Sequence, residues 1–461
     1  MKTVYIITKH LLLSYIIIAI FSCDSFVEVD LPKSQLTSVA VFQDYATADA
    51  ALTDIYSNIR DIGILTGTGY GISNQLGNYT DEITSNQNPN NTSLNFYNNA
   101  LLPSNTVVSG YWNASYNQIY ASNAIIEGVE ISNNLSDQQK KQLKGEALFI
   151  RSLLHLYLVN IFGDVPYITQ TDYRKNSVVS RTSSEKVYEN IIYDLNDAIT
   201  LLSDNGNDFE RVRPGISAAK ALLARTYLYN HSYPEAANMA SAVLNQEDLY
   251  ALEDINMVFL ITSKETIWQL QSGESGRNTL EASFFTFTSG PPPQVSLSNE
   301  LVNSFASNDL RRTQWIKTVS DGTSIWYHVY KYKENNSTSV SKEYSVVFRL
   351  AEQYLIRAEA RAEQGDLIGA KEDLNKIRHR AGLDDTDAIS KPEILTAILN
   401  ERKWEFFTER GHRFFDLKRF GQLDNVLSNV KSGWNTSDSL FPIPQTELSA
   451  NPNLRPQNPG Y

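Results

Sequence analysis

The sequence predicts a mainly α-helical protein whose helical pairs are interrupted by a loop-rich block. Three observations lead there. Apolar residues recur at helical spacing through much of residues 42–244 and again through 348–410. The strongest run, Asp137–Phe162, is followed by Gly163 and Pro166, the stop signals a helix needs. Between Gln246 and Phe348 the chain turns β-branched, aromatic and rich in Gly and Pro, with SGPPPQ at Ser289–Gln294 and KENNSTSVSKE at Lys333–Glu343. That composition predicts loops and short strands.

At the N-terminus, Lys2 and Lys9 flank a stretch, Leu11–Phe21, that is apolar except at Ser14 and Tyr15. As a helix it would span roughly 16 Å, too short for a hydrocarbon core of about 30 Å. A basic start, a short apolar run and small Ser22 describe a secretory signal. The only cysteine follows at once, and Ile20-Phe21-Ser22-Cys23 resembles a bacterial lipobox. We therefore expect residues 1–22 to be a lipoprotein signal and Cys23 to carry the lipid. An ordinary signal peptide with an incidental cysteine is the plain alternative. One acyl chain anchors marginally, whereas the several chains of a lipoprotein anchor stably.

Removing the signal leaves 439 residues with 38 basic and 52 acidic side chains. So acidic a chain lacks the basic face a nucleic-acid partner requires. With a single cysteine no disulfide forms within the chain, so stability must come from packing, to which 25 Tyr, 19 Phe and 6 Trp contribute.

Residues 24–40 are polar and acidic and read as a tether. Helical periodicity begins at Phe42, with Ala46, Ala50, Ile55 and Ile59 marking an apolar face. Residues 61–110 are rich in Gly, Asn, Ser and Thr and read as a long irregular excursion, GTGYG (Gly67–Gly71) included. Helices are expected at Tyr111–Val129, Asp137–Phe162, Thr182–Leu202, Ile216–Asn230 and Tyr233–Leu244. After the loop block they resume at Phe348–Glu363, Asp366–Ala381 and Pro392–Arg410. Ala224 and Ala236 are twelve residues apart, as are Ala358 and Ala370, each pair within a helix–turn–helix. Small residues where helices cross, at that spacing, look like tetratricopeptide units split by the intervening block. Any two packed helical hairpins would give a similar pattern. The chain divides accordingly into an N-terminal region, 23–245, and a C-terminal region, 246–461, with the loop-rich block at 246–347 and helices and tail at 348–461.

Few residues suggest chemistry. None of the six histidines has a second ligand at metal-site spacing, and no nucleophile elbow or phosphate loop is present. No metal or cofactor is expected. His155, among apolar neighbours in SLLHLYL, reads as a satisfied core histidine. Glu401, Glu405, Glu409 and Arg413 would share a stripe if their helix continues. A glycosidase needs two carboxylates, one with a raised pKa and facing a cleft. Here Arg402, Lys403, Arg410, Arg413 and Lys418 lie near the acids, which favours ionised carboxylates and a structural ion-pair network.

The same segment carries a resemblance. ERKWEFFTERGHRFFDLKRFG (Glu401–Gly421) resembles the C-terminal signature of the SusD-like (SusD/RagB) family of outer-membrane nutrient-binding lipoproteins. KGEALFIRSLLHLYLVNIFGDVPYI (Lys144–Ile168), FRLAEQYLIRAEARAEQGD (Phe348–Asp366), the closing FPIPQTELSANPNLRPQNPGY (Phe441–Tyr461) and VFQDYATADAALTDIYSNIR (Val41–Arg60) agree with it. Five segments in order span nearly the whole chain. The resemblance implies an all-α body of interrupted tetratricopeptide-like pairs with loops and small strands on the ligand face. It implies no catalytic residues, exposure at the outer-membrane surface, and a SusC-like TonB-dependent transporter as partner. The protein would capture oligosaccharide or polysaccharide and deliver it to that transporter. Capture of peptides or another non-glycan nutrient for the same kind of transporter is the alternative, and a surface glycosidase is a third reading.

In this family ligand contacts come from variable loops, here 61–110 and 270–345, which should converge on one face. Sugars are held by aromatic faces and by polar groups that take their hydroxyls. Asp81, Tyr97 and Asn98 are the expected contacts from the first loop, Phe287 and Trp326 from the second. Trp112 opens a helical run and is expected to pack instead.

Overall fold

The structure, a computed structural model, describes residues 38–203 and 210–461. The expected signal, Cys23 and the tether up to residue 37 lie outside the described residues. The fold is mainly helical with small sheets, as the sequence predicts.

The body is a series of helices in which each packs on the next. They are Tyr45–Asp61, Thr106–Ile131, Asp137–Phe162, Ser184–Leu201, Ile216–Tyr229, Tyr233–Leu244, Leu350–Gln364, Leu367–Arg380 and Lys391–Phe406. Local chemistry sets their ends. The Asn105 side chain accepts from the N–H groups of Val107 and Val108, and Ser136 forms a capping box with Gln139. Gly163 takes φ +74° after Phe162. The carbonyls left open at that end are met by the C-terminal tail: Phe441 N–H donates to Ile161 O, and the Asn458 amide donates to Phe162 O.

Ala224, Ala236, Ala358 and Ala370 are all fully buried, and the Tyr233–Leu244 helix packs along Leu350–Gln364. The two helical pairs, distant in sequence, are therefore neighbours in space. The block between them leaves the array and rejoins it. The main core draws on residues from Phe42 to Leu454, so both regions of the chain share it.

Three expectations need correction. The first helix buries Ala48, Leu52, Ile55 and Ile59, while Ala46 and Ala50 face solvent. Residues 61–110 are not wholly irregular, because GTGYG leads into a helix, Ile72–Tyr79, every residue of which is buried. A helix buried all round shows no apolar stripe, so periodicity misses it. Finally, the expected Pro392–Arg410 helix stops at Phe406. Thr408 and Arg410 have φ of +56° and +47°, and Gly411 has +79°. At Gly411 a Cβ would lie 2.5 Å from Leu76 Cδ1, so glycine meets both the backbone angle and the close approach.

The strands form three antiparallel ribbons: β1 (Ile83–Ser85) with β3 (Val295–Leu297), β2 (Thr266–Leu270) with β6 (Ser345–Arg349), and β4 (Ile316–Ser320) with β5 (Ile325–Val329). Ile83, Phe259, Phe285, Leu297, Trp315 and Phe407 belong to a second core beneath them. The loop block thus has its own hydrophobic support, set beside the helical array.

Candidate functional site

The two expected ligand loops do converge. In the β1–β3 ribbon Thr84 lies opposite Ser296, with Ile83–Leu297 and Ser85–Val295 on either side. Ile83, Ser85, Val295 and Leu297 are buried, so the alternation of the strands turns Thr84 outward. Beyond the ribbon, Asn86 N–H donates to Gln294 O at 2.7 Å and its amide to Pro292 O at 3.0 Å. The buried Asn91 amide ties Ser85 Oγ and Gln294 O together.

The β4–β5 hairpin adds the aromatic part. Its turn is held by Asp321 Oδ1, which accepts from the N–H groups of Thr323 and Ser324. Trp326 and His328 lie on one face of β5, against the 287–290 segment. The Phe287 and His328 rings are 5.0 Å apart. The Trp326 indole lies so close to Gly290 that a Cβ there would come within 2.0 Å of the ring. On the other side of the ribbon, Phe284 and the Gln294 side chain reach Gly69, next to the exposed Tyr70. The result is a surface with aromatic groups at Tyr70, Phe284 and Trp326 and amides at Asn86 and Gln294. Rings offer apolar faces to sugar C–H groups, and amides offer both donors and acceptors to hydroxyls.

The five expected contacts divide. Trp326 is half-buried on this surface, and its indole N–H makes no hydrogen bond among the described residues. Phe287 is brought beside it but lies underneath as support, 8% exposed. Asp81 is buried just before β1, where Arg413 grips both carboxylate oxygens at 2.7 and 2.8 Å and Lys403 approaches to 3.2 Å. Burial opposes its ionisation, but the Arg413 and Lys403 charges outweigh this and hold the carboxyl well below the usual range. Its oxygens are committed to the fold. Tyr97 and Asn98 lie against the C-terminal segment instead. Lys431 Nζ sits 3.9 Å from the centre of the Tyr97 ring and occupies one of its faces. Asn98 is exposed, with its backbone carbonyl against Gly433. Phe284, Asn86 and Gln294 carry no local sequence signal for this surface, and Tyr70 has only its Gly-rich setting.

Beneath this surface lies the acidic stripe. Glu401 and Glu405 are fully buried and meet no cleft. Glu401 contacts Arg311 at 2.7 Å and Arg378 at 3.4 Å. Glu405 receives Arg311 at 3.1 Å and also pairs with Arg349 and Arg380. Glu409, in the turn after the helix, binds Arg349 at 2.9 Å and Lys331 at 2.5 Å. Burial raises the Glu401 pKa, whereas at Glu405 the arginines override burial and hold the carboxyl far down. A raised acid beside a lowered one is a glycosidase-like pairing. With both sealed from solvent, no sugar can reach them.

The network is structural as expected, but its cations are different ones. They come from other elements because the helix ends at Phe406. The local basic residues serve elsewhere: Arg402 with Asp416, Arg413 and Lys403 with Asp81, Arg410 with Glu281 at 3.0 Å, and Lys418 with the carbonyls of Asn160 and Ser439. His155 is a satisfied core residue. Its Nδ1 is 2.8 Å from Arg151 O, Ile168 N–H donates to Nε2, and burial lowers its pKa to about 3. Trp112 is packed at the edge of Phe162, 5.2 Å between rings.

A helical scaffold, a loop-built face of rings and amides, and a sealed ionic seam between them define a ligand-binding scaffold of tetratricopeptide-like type. Comparison with known proteins gives the family. The model described as starch-binding and associating with the outer membrane matches residues 28–228, and the SusD family model matches residues 313–461. The chain belongs to the SusD-like family. It is 24% identical to SusD-like protein P25 of Formosa agariphila, over 95% of this chain and 96% of that one. A SusD superfamily protein from Bacteroides vulgatus shares the fold with a TM-score of 0.79 at 22% identity, over 91% of this chain and all of the other. Surface glycan-binding protein A from Bacteroides thetaiotaomicron, in complex with laminarihexaose, shares it with a TM-score of 0.76 at 18% identity, over 90% and 99%.

Proposed function

We propose that the protein is a non-catalytic, cell-surface glycan-binding lipoprotein, anchored to the outer membrane through Cys23, that passes oligosaccharide to a SusC-like TonB-dependent transporter. The observation that carries this is the joining of two sequence-distant loops into one face of rings and amides. The family supports the reading, since its description links starch binding with the outer membrane. A relative in structure, surface glycan-binding protein A, is found with laminarihexaose. Trp326 is the proposed central platform, with Tyr70, Asn86 and Gln294 around it; Tyr97 and Asn98 are proposed as peripheral contacts.

Sugar binding on open aromatic faces exchanges water hydrogen bonds for protein ones with little net gain. Dissociation constants on the order of micromolar to millimolar follow. The test is gel retardation and calorimetry of the mature chain against laminarin, starch, xylan and mannan. At least one should bind, and Trp326→Ala should weaken retardation. Binding of peptides with no response to any glycan would favour the peptide-capture reading. Cys23→Ala should release the protein from membranes when the transporter is absent.

A further inference from the structure

We propose that a second saccharide-binding site lies on the helical body, in a groove between the Thr106–Ile131 helix and the C-terminal segment. The inference rests on the reading that this protein handles glycans, but it uses none of the residues of the loop face.

The groove has a volume of about 530 Å³, and Trp112, Asn113, Tyr116, Asn117 and Tyr120 line one wall, with Glu447 opposite. That size is typical of small-ligand sites. The helix residues follow at i, i+1, i+4, i+5 and i+8, so one face presents rings and amides over two turns. Tyr116 is fixed by its hydroxyl, which donates to Pro166 O at 2.8 Å, and its ring lies 4.9 Å from that of Trp112. Tyr120 is 51% exposed.

Polar groups here are left open. Asn113 and Asn117 are exposed, one turn apart, and their amides make no hydrogen bond within the described residues. Trp112 is more telling. Of the six indoles, four donate their N–H within the protein: Trp268 to Val212 O, Trp315 to Ile255 O, Trp404 to Ser304 Oγ and Trp434 to Asp424. The two that do not, among the described residues, are Trp326, on the loop face, and Trp112, which is only 4% exposed and lines this groove. The Trp112 N–H is not sealed in the interior but opens on the groove, where water or a ligand hydroxyl can accept from it. A sugar hydroxyl both donates and accepts, so it matches an indole donor, two amides and a carboxylate together. An apolar ligand would leave all four unanswered.

Both indoles can be read in one spectrum. The full mature chain carrying Cys23→Ala, with ¹⁵N-labelled tryptophan, gives six indole resonances, and Trp112→Phe and Trp326→Phe assign two of them. The probes are laminarihexaose, maltohexaose, xylohexaose and mannohexaose, with mixed casein peptides as the contrast. At least one saccharide should move the Trp112 resonance in a saturable way. Asn117→Ala and Tyr120→Ala, both at exposed positions, should weaken that response about tenfold and leave the Trp326 response intact. A moving Trp326 beside a silent Trp112 overturns the second site and leaves the loop face standing. Silence at both overturns both readings. A Trp112 response that survives both substitutions, or that appears only with peptides, overturns the second site.

Discussion

The seam around Glu405 and the face around Trp326 are built from similar residue types, and they end in opposite states. In the seam, Glu265, Asp309, Glu401, Glu405 and Glu409 meet Arg311, Arg349, Arg378, Arg380 and Lys331, most of them buried, and most of the charges have more than one partner. On the face, the Trp326 indole N–H and the exposed Gln294 amide make no hydrogen bond among the described residues, although the elements around them are well bonded. The difference shows what each region answers to. A buried charge without a partner costs several kcal/mol, so the seam must be completed within the protein. An open polar group at the surface costs little because water satisfies it, and a ligand can replace that water.

The hardest test of the seam is Glu405→Gln. The change removes the charge that Arg311, Arg349 and Arg380 share and leaves three buried guanidiniums under-compensated. We expect a loss of about 3–5 kcal/mol in denaturant unfolding. Glycan binding by the folded fraction should be unchanged. An unaltered unfolding midpoint would erase the contrast between the two regions. Turnover of an oligosaccharide by wild type, lost in the variant, would revive the glycosidase reading.

A second test sits at the junction of the two regions. Glu82 is buried, with Oε1 unpartnered and Oε2 accepting from Thr408 N–H at 3.3 Å. Burial, then the charge of Asp81, raises its pKa to about 8, against the opposing pull of Arg413, the Thr408 N–H and Lys331. The folded protein therefore holds a proton that the unfolded chain releases near pH 4.5. This group's contribution to stability is full below that pH, declines as pH rises and is gone above about pH 8. Glu82→Gln should gain on wild type by on the order of a few kcal/mol between pH 5 and pH 9. Parallel stability–pH curves for the two proteins would show that Glu82 is ionised in the fold.

The sequence made the helical array readable because its helices are amphipathic or well terminated, as with Asp137–Phe162 and Gly163. It also marked the two loops, 61–110 and 270–345, that the fold joins through the β1–β3 ribbon. It could not show Ile72–Tyr79, whose burial on all sides removes periodicity, nor the turn after Phe406, where Thr408 and Arg410 adopt positive φ without being glycine. That turn takes Arg410 and Arg413 away from the helix, so the seam draws its cations from other elements. Asp81 carried the right residue type for a sugar contact, but its partner Arg413 lies over 300 positions away, beyond any local pattern. Phe284 comes against Gly69, beside Tyr70 in the chain, only after folding.

The smallest expected effect on stability falls at the centre of the face, and it separates support from contact. Phe287 and Trp326 belong to the same packed corner, but Phe287 lies below it and Trp326 on top. Phe287→Ala removes a ring packed on His328 and should cost about 3 kcal/mol, as for a buried phenylalanine. Trp326→Ala deletes a half-buried ring whose N–H has no protein partner, so thermal unfolding should change by about 1 kcal/mol or less. Its effect should appear in binding: loss of the platform and of one donor to a sugar hydroxyl lowers affinity about tenfold or more. Calorimetry with the best glycan, beside thermal melts of both variants, distinguishes the two roles. A large fall in melting temperature for Trp326→Ala would make that ring an anchor like Phe287. A stable Trp326→Ala that binds glycan as well as wild type would move the contact to Tyr70 and Phe284, across the ribbon.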